Sequence, residues 1–143
     1  MKKDKDMNGS FFIGLLAVCV IAGAVLYKMR GNAPSFHKPF NLPTGIPVET
    51  VEGELSMDSV VAYFRAINLN AKEDVPFITK DMKLTFGTNE YTEKDGYKTL
   101  FLGVFSEEKD AIKNAKIIYA KNFDAKLEEV LSHASKDGIV VLN

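Results

Sequence analysis

Glu93-Lys94-Asp95-Gly96-Tyr97-Lys98-Thr99-Leu100-Phe101-Leu102-Gly103-Val104-Phe105, residues 93–105, is the stretch that decides the fold. Asp95-Gly96 is a strong turn signal, because glycine takes a positive φ at no steric cost. Tyr91-Thr92 before the turn and residues 97–105 after it read as the arms of a hairpin. Leu100 to Phe105 is apolar without alternation, the pattern of a strand covered on both faces. Immediately downstream, Ser106 is a helix cap, with Glu107 and Glu108 placed to complement a helix dipole. Ala111, Ile112 and Ala115 then supply the inner face of a predicted helix, and residues 116–120 read as the next strand. Asn122 caps a further predicted helix whose apolar face is Phe123, Leu127, Val130, Leu131 and Ala134. Asp137-Gly138 stops that helix, and residues 139–142 form a terminal strand. The expected order from residue 97 is β-α-β-α-β, with parallel strands and right-handed crossovers.

Upstream, Ser56 and Asp58 open a helix with Val60, Val61, Phe64 and Ile67 on one face, and Asn68 and Asn70 suit its exit. Residues 75–79 read as a strand that Pro76 confines to an edge or a strand start. Residues 83–86 read as another strand. These signals predict a small two-layer α+β domain over residues 55–143, built on a mixed sheet and able to fold alone.

Further toward the N-terminus the character changes. Residues 31–54 hold Pro34, Pro39, Pro43 and Pro47, four of the five prolines of the chain. Proline donates no amide hydrogen and disfavours helix before it, so this stretch is expected to be an extended linker. At about 3.1 Å per residue it would reach on the order of 70 Å. Phe36, Phe40, Leu42 and Ile46 interrupt its polarity, and packing of these side chains on the domain or on a partner is the alternative.

Residues 10–30 are expected to be a single transmembrane helix, preceded by a short tail, residues 1–9. The seventeen residues 11–27 carry no charge. As a helix they would cover about 26 Å, near the lower limit for a bilayer core. Phe11, Phe12, Leu15, Leu16, Val20, Ile21, Leu26 and Tyr27 are the anchor residues, with Tyr27 at the interface and Lys28 and Arg30 in the headgroups. A cleaved signal peptide is the competing reading, since Ala22-Gly23-Ala24 offers a cleavage pattern, although the chain stays apolar through Tyr27. A lipoprotein signal around Cys19 fits less well, because the bulky Val18 precedes it. Lysines and arginine tie across the two flanks, and the short lysine-rich start resembles an uncleaved signal anchor. That places the soluble domain on the extracytoplasmic side of the cell membrane. Ser10, Gly14, Ala17, Ile21 and Ala24 form a stripe of small residues. Homo-oligomerisation through that stripe stands beside ordinary bilayer composition as its explanation.

The motifs resemble a known family. Glu93-Lys94-Asp95-Gly96, Gly103-Val104-Phe105-Ser106-Glu107-Glu108, Asn122-Phe123 with Leu127-Glu128-Glu129, and Gly138-Ile139-Val140-Val141-Leu142-Asn143 resemble the N-terminal domain of SseB-type (enhanced serine sensitivity) bacterial proteins. The likeness is good over about 50 residues, and looser back to Tyr63-Phe64-Arg65. Phe-Ser stands here where that pattern has Phe-Thr-Ser, and the anchor is an addition. The resemblance implies an α+β fold and no established catalytic residues.

Charge and composition narrow the function. Residues 1–30 carry five basic and two acidic side chains, and residues 31–143 carry thirteen basic against seventeen acidic, a net −4. An acidic domain lacks the clustered positive field that nucleic acid requires. Cys19 is the single cysteine, so residues 31–143 offer no disulfide, zinc cluster or thiol nucleophile. His37 and His133 form no metal pattern, and no serine elbow or phosphate loop is present. Ser106 is at a turn that can bind anions, but Glu107 and Glu108 would repel one. Glu107-Glu108 and Glu128-Glu129 read as solvated faces. No cofactor is expected. The function expected is a membrane-anchored, non-catalytic interaction or scaffold module with protein partners, in a bacterial envelope or secretion-type assembly. The alternative is an enzyme or small-ligand-binding domain whose polar site carries no recognisable motif.

Overall fold

The computed structural model describes residues 34, 36–70, 72–87 and 94–142. Of residues 1–33 it describes only Val20–Ile21 paired antiparallel with Ala24–Val25. The expected membrane segment otherwise lies outside the described residues, as do its anchor side chains and the small-residue stripe. So does Tyr91-Thr92, the first arm of the expected hairpin. Among the described residues no helix is long and apolar enough to cross a membrane.

The domain is α+β with one mixed five-stranded sheet. Its elements are β1 (Val48–Leu55), α1 (Met57–Arg65), β2 (Asp74–Thr79), α2 (Met82–Phe86), β3 (Lys98–Ser106), β4 (Ala111–Phe123), α3 (Ala125–Leu131) and β5 (Ile139–Val141). Across the sheet the order is β1-β4-β3-β2-β5. Only β1 and β4 run parallel; the other neighbours are antiparallel. The second half is therefore β-β-α-β, and the expected β-α-β-α-β order is corrected.

The reason lies at residues 106–115. Ser106 does cap, its hydroxyl accepting from Lys109 N–H at 3.2 Å, but the turn ends after one round at Asp110, φ 52°. The chain then returns as β4. Phe105 faces Ile112 and Val104 faces Asn114, so Lys113 is the extra residue of a bulge. A bulge switches which side chains point to which face. The three-residue step from Ile112 to Ala115, which mimics a helical step, comes from that switch. Beyond it Ile117 and Tyr119 point to one face, and Ile118 and Ala120 to the other.

Residues 83–86 are likewise helical rather than extended. Asp81 caps α2 by accepting from Leu84 N–H at 3.0 Å, and Gly87 closes it in the left-handed conformation, φ 71°. Met82, Thr85 and Phe86 are buried at i, i+3, i+4 spacing. Asn122 is still strand; Asp124 is the cap of α3, accepting from Leu127 N–H at 2.8 Å. The same carboxylate accepts from Met57 N–H at 3.2 Å, so one aspartate serves the starts of α1 and α3. Pro76 is in an interior strand, contrary to expectation. Its carbonyl accepts from Leu142 N–H at 2.8 Å, and the missing amide falls beyond Val141, where β5 has ended.

One face of the sheet packs on α1 and α3: Val60, Phe64, Leu127 and Leu131 meet Ile78, Leu100, Leu102 and Ile118. The other face is not solvated, so the two-layer expectation also changes. It carries Phe77, Phe101, Ile117 and Val141, and it is covered by α2 and by the proline-rich segment through Phe36, Leu42 and Ile46. Phe36 stacks 4.8 Å from Phe40 and 5.0 Å from Phe86, centroid to centroid. Residues 36–47 are a strap on the domain, the alternative left open for their apolar side chains.

Candidate functional site

Among the described residues, β1 is an outer strand of the sheet with one edge unpaired. Val48 lies opposite Ile117, whose N–H donates to the Pro47 carbonyl at 2.9 Å. In a parallel ladder that phase turns the N–H and C=O of Glu49 and Val51 toward β4. The alternate residues Val48 and Thr50 therefore direct their own backbone groups outward. Among the described residues no strand pairs with that side. Val48 is 52% exposed, an apolar side chain at the mouth of the edge.

The neighbourhood of this edge is polar and ordered. The Tyr97 hydroxyl donates to Glu52 at 2.9 Å. Lys94 Nζ donates to the Thr50 hydroxyl at 3.2 Å and lies 4.7 Å from the Tyr97 ring centre. Lys121 Nζ covers the same ring at 4.2 Å. Glu49 is ion-paired with Lys116. Glu54 is exposed beyond the register shift between Val51 and Glu54. Three glutamates, Gly53 and a shift confined to the far half are features that keep an edge from pairing indiscriminately. The stretch 48–51 remains regular.

A second cluster gathers at the other end of the sheet. Asp74 is buried, accepting from Asn70 N–H at 2.7 Å and from Lys113 Nζ at 2.7 Å. The Asn70 amide, then the Lys113 ammonium, hold its carboxyl below the usual aspartate range. Neighbouring Glu73 is pushed the other way, first by a hydrogen bond shared with Glu108, then by burial and by the charges of Glu108 and Asp74. Perturbed acids invite a catalytic reading. Here the Asp74 carboxylate closes the 70–74 turn and ties it to the β4 bulge, which is a structural use.

The other candidates are dispersed. His37 and His133 are both exposed, and His133 Nε2 is 3.2 Å from Glu129. Glu128 turns instead to Lys98, 2.8 Å away, so Glu128 and Glu129 do not converge. Ser106 is buried in its turn. Among the described residues no group of three or more His, Cys, Asp or Glu side chains could hold a metal ion. The β1 edge lies within residues expected to be linker. Its signal was the β-branched run Val48, Thr50, Val51 with Glu49 and Glu52 interleaved.

Comparison with protein-family models, curated proteins and solved structures finds no match.

Proposed function

We propose that the chain is a membrane-anchored interaction module that presents the β1 edge to a protein partner on the extracytoplasmic side of a bacterial cell membrane. The observation that carries the reading is the outward backbone of Val48 and Thr50 on a regular, accessible edge. Such an edge takes up an extended segment by strand addition, with main-chain hydrogen bonds supplying affinity and neighbouring side chains selectivity. The uncharged residues 11–27 supply the anchor. The SseB-type resemblance belongs to the same reading. It rests on the sequence motifs around Asp95-Gly96, Leu127-Glu128-Glu129 and Ile139. Residues 106–115 depart from it.

Thr50→Pro removes an outward N–H and leaves the β4 ladder intact, and Thr50→Val, which gives up only the Lys94 contact to the hydroxyl, is its control. A photo-crosslinking residue at Val48 of the full chain, in its native membrane, is expected to give a discrete protein adduct. Thr50→Pro is expected to abolish that adduct without changing the melting curve. An adduct that survives Thr50→Pro, or its absence at Val48, would remove strand addition as the mode of binding.

A further inference from the structure

We propose that a second surface, the lysine-framed Leu84 patch on α2, rests on anionic lipid headgroups; this builds on the reading of residues 11–27 as a membrane anchor. α2 turns Met82, Thr85 and Phe86 inward and leaves Leu84 43% exposed. Lys80 and Lys83, both exposed, precede it by four residues and by one. The turn before β5 is fixed alongside, because the Thr85 hydroxyl donates to the Asp137 carbonyl at 2.7 Å. A Cβ on Gly138 would lie 3.3 Å from Leu84 Cδ2, so that turn abuts Leu84 directly and carries Lys136 with it. The strap adds the fourth cation. Lys38 passes so close to Gly87 that a Cβ there would meet Lys38 Cβ at 2.9 Å, and its ammonium is 3.5 Å from Asp137.

Lys38, Lys80, Lys83 and Lys136 therefore stand around one exposed leucine. Among the described residues, the carboxylates on these elements are Asp81, which caps α2, and Asp137, which faces Lys38. The patch is net positive in a region, residues 31–143, that is net negative. Ammonium groups on long stems reach headgroup phosphates while an apolar side chain enters the acyl boundary. Attraction of a basic cluster to an anionic surface falls off within a Debye length, so the patch must be held near the bilayer. The docked strap limits how far the patch can stand from the anchor. Eleven residues, 28–38, separate Tyr27 from Lys38 inclusive, a span of at most about 40 Å. β1 and β5 are the two outer strands of the sheet, four strand spacings or roughly 19 Å apart. With α2 and the β5 turn on the lipid, the β1 edge lies on the side remote from them.

The test uses the full chain in lipid nanodiscs, with Cys19→Ser and an environment-sensitive dye on Leu84→Cys. In phosphatidylglycerol-containing discs the dye is expected to shift to the blue and to be quenched by headgroup nitroxides. Both signals should vanish in zwitterionic discs, at high salt, and in Lys80→Glu/Lys83→Glu with an unchanged melting curve. A dye on Glu54→Cys should stay unquenched throughout. A chain that enters discs but leaves the Leu84→Cys dye in water overturns the headgroup contact and spares the anchor. Equal quenching in anionic and zwitterionic discs overturns charge recognition. A chain that fails to enter discs overturns the anchor reading, and this contact with it.

Discussion

Three residues, Gly103, Asp74 and Glu73, carry unusual weight for their size. Gly103 lies in the middle of β3 on the face covered by the strap, and its missing side chain is filled by its neighbours. A Cβ there would approach Phe101 Cε1 to 2.7 Å and Phe77 Cζ to 2.9 Å, and both rings are fully buried. With both rings fully buried, Gly103→Ala is expected to cost about 1–3 kcal/mol, the range for overpacking a tight core. Chemical denaturation reads this directly; an unchanged midpoint would mean that the aromatic layer is looser than its geometry. Asp74 acts through charge. Its depressed carboxyl contributes stability above the ordinary aspartate value of 3.8, and that contribution is lost as pH falls through the lower folded value. Glu73 works in the opposite sense. Its raised carboxyl contributes below the ordinary 4.5, and that contribution is lost as pH rises through the folded value. Thermal melts against pH should therefore show Asp74→Asn with a flatter acid limb than the parent chain, and Glu73→Gln more stable than the parent near neutrality. An acid limb for Asp74→Asn identical to the parent's would show that Asn70 and Lys113 do not hold that carboxylate in solution.

Elements differ in how plainly the sequence announces them. α1 is readable because its Ser56 cap and apolar spacing agree, and β2 because Val75 to Thr79 is a short apolar run, although Pro76 wrongly points to an edge. β3 was readable because six successive apolar positions, Leu100 to Phe105, leave little but a doubly covered strand. The bulge at Lys113 defeated the same method: it inserts one residue, shifts the phase of β4, and leaves a spacing that looks helical. α2 was missed because five residues offer too short a window for periodicity. Its caps, Asp81 and Gly87, were nevertheless present in the sequence. β1 and the strap were hidden by composition. Four prolines read as a tether, yet proline excludes only helix and ladder donors, and an extended strap on a sheet face requires neither. The Phe40 N–H donates to the Phe86 carbonyl at 2.8 Å, a main-chain tie to α2 that the prolines leave free to form. The candidate edge was lost with β1, since an edge is defined by which strand goes unpaired, and pairing order is not written in local pattern.

At the scale of the whole molecule, the sheet has two apolar faces and needs a cover on each. α1 and α3 provide one. The other depends on a segment next to the expected anchor: Phe77, Phe86 and Phe101 are fully buried in the presence of Phe36, Leu42 and Ile46. A cut at residue 55 would remove that cover together with β1, the parallel partner of β4. It would expose a contiguous phenylalanine surface, of a kind that monomers keep small. Burying one large apolar side chain is worth roughly 1.5–3 kcal/mol, and a domain of this size has only about 5–15 kcal/mol of net stability. Three such side chains and an eight-residue strand therefore decide whether the rest folds. Residues 34–143 are expected to be soluble and to melt cooperatively. Residues 55–143 are expected to bind a hydrophobic dye and to unfold without a sharp transition. Comparable cooperative melts from the two fragments would mean that the strap and β1 are additions to a self-sufficient core. Loss of cooperativity in the shorter fragment, restored when residues 34–54 are supplied as a separate peptide, would place the domain's true beginning at the strap.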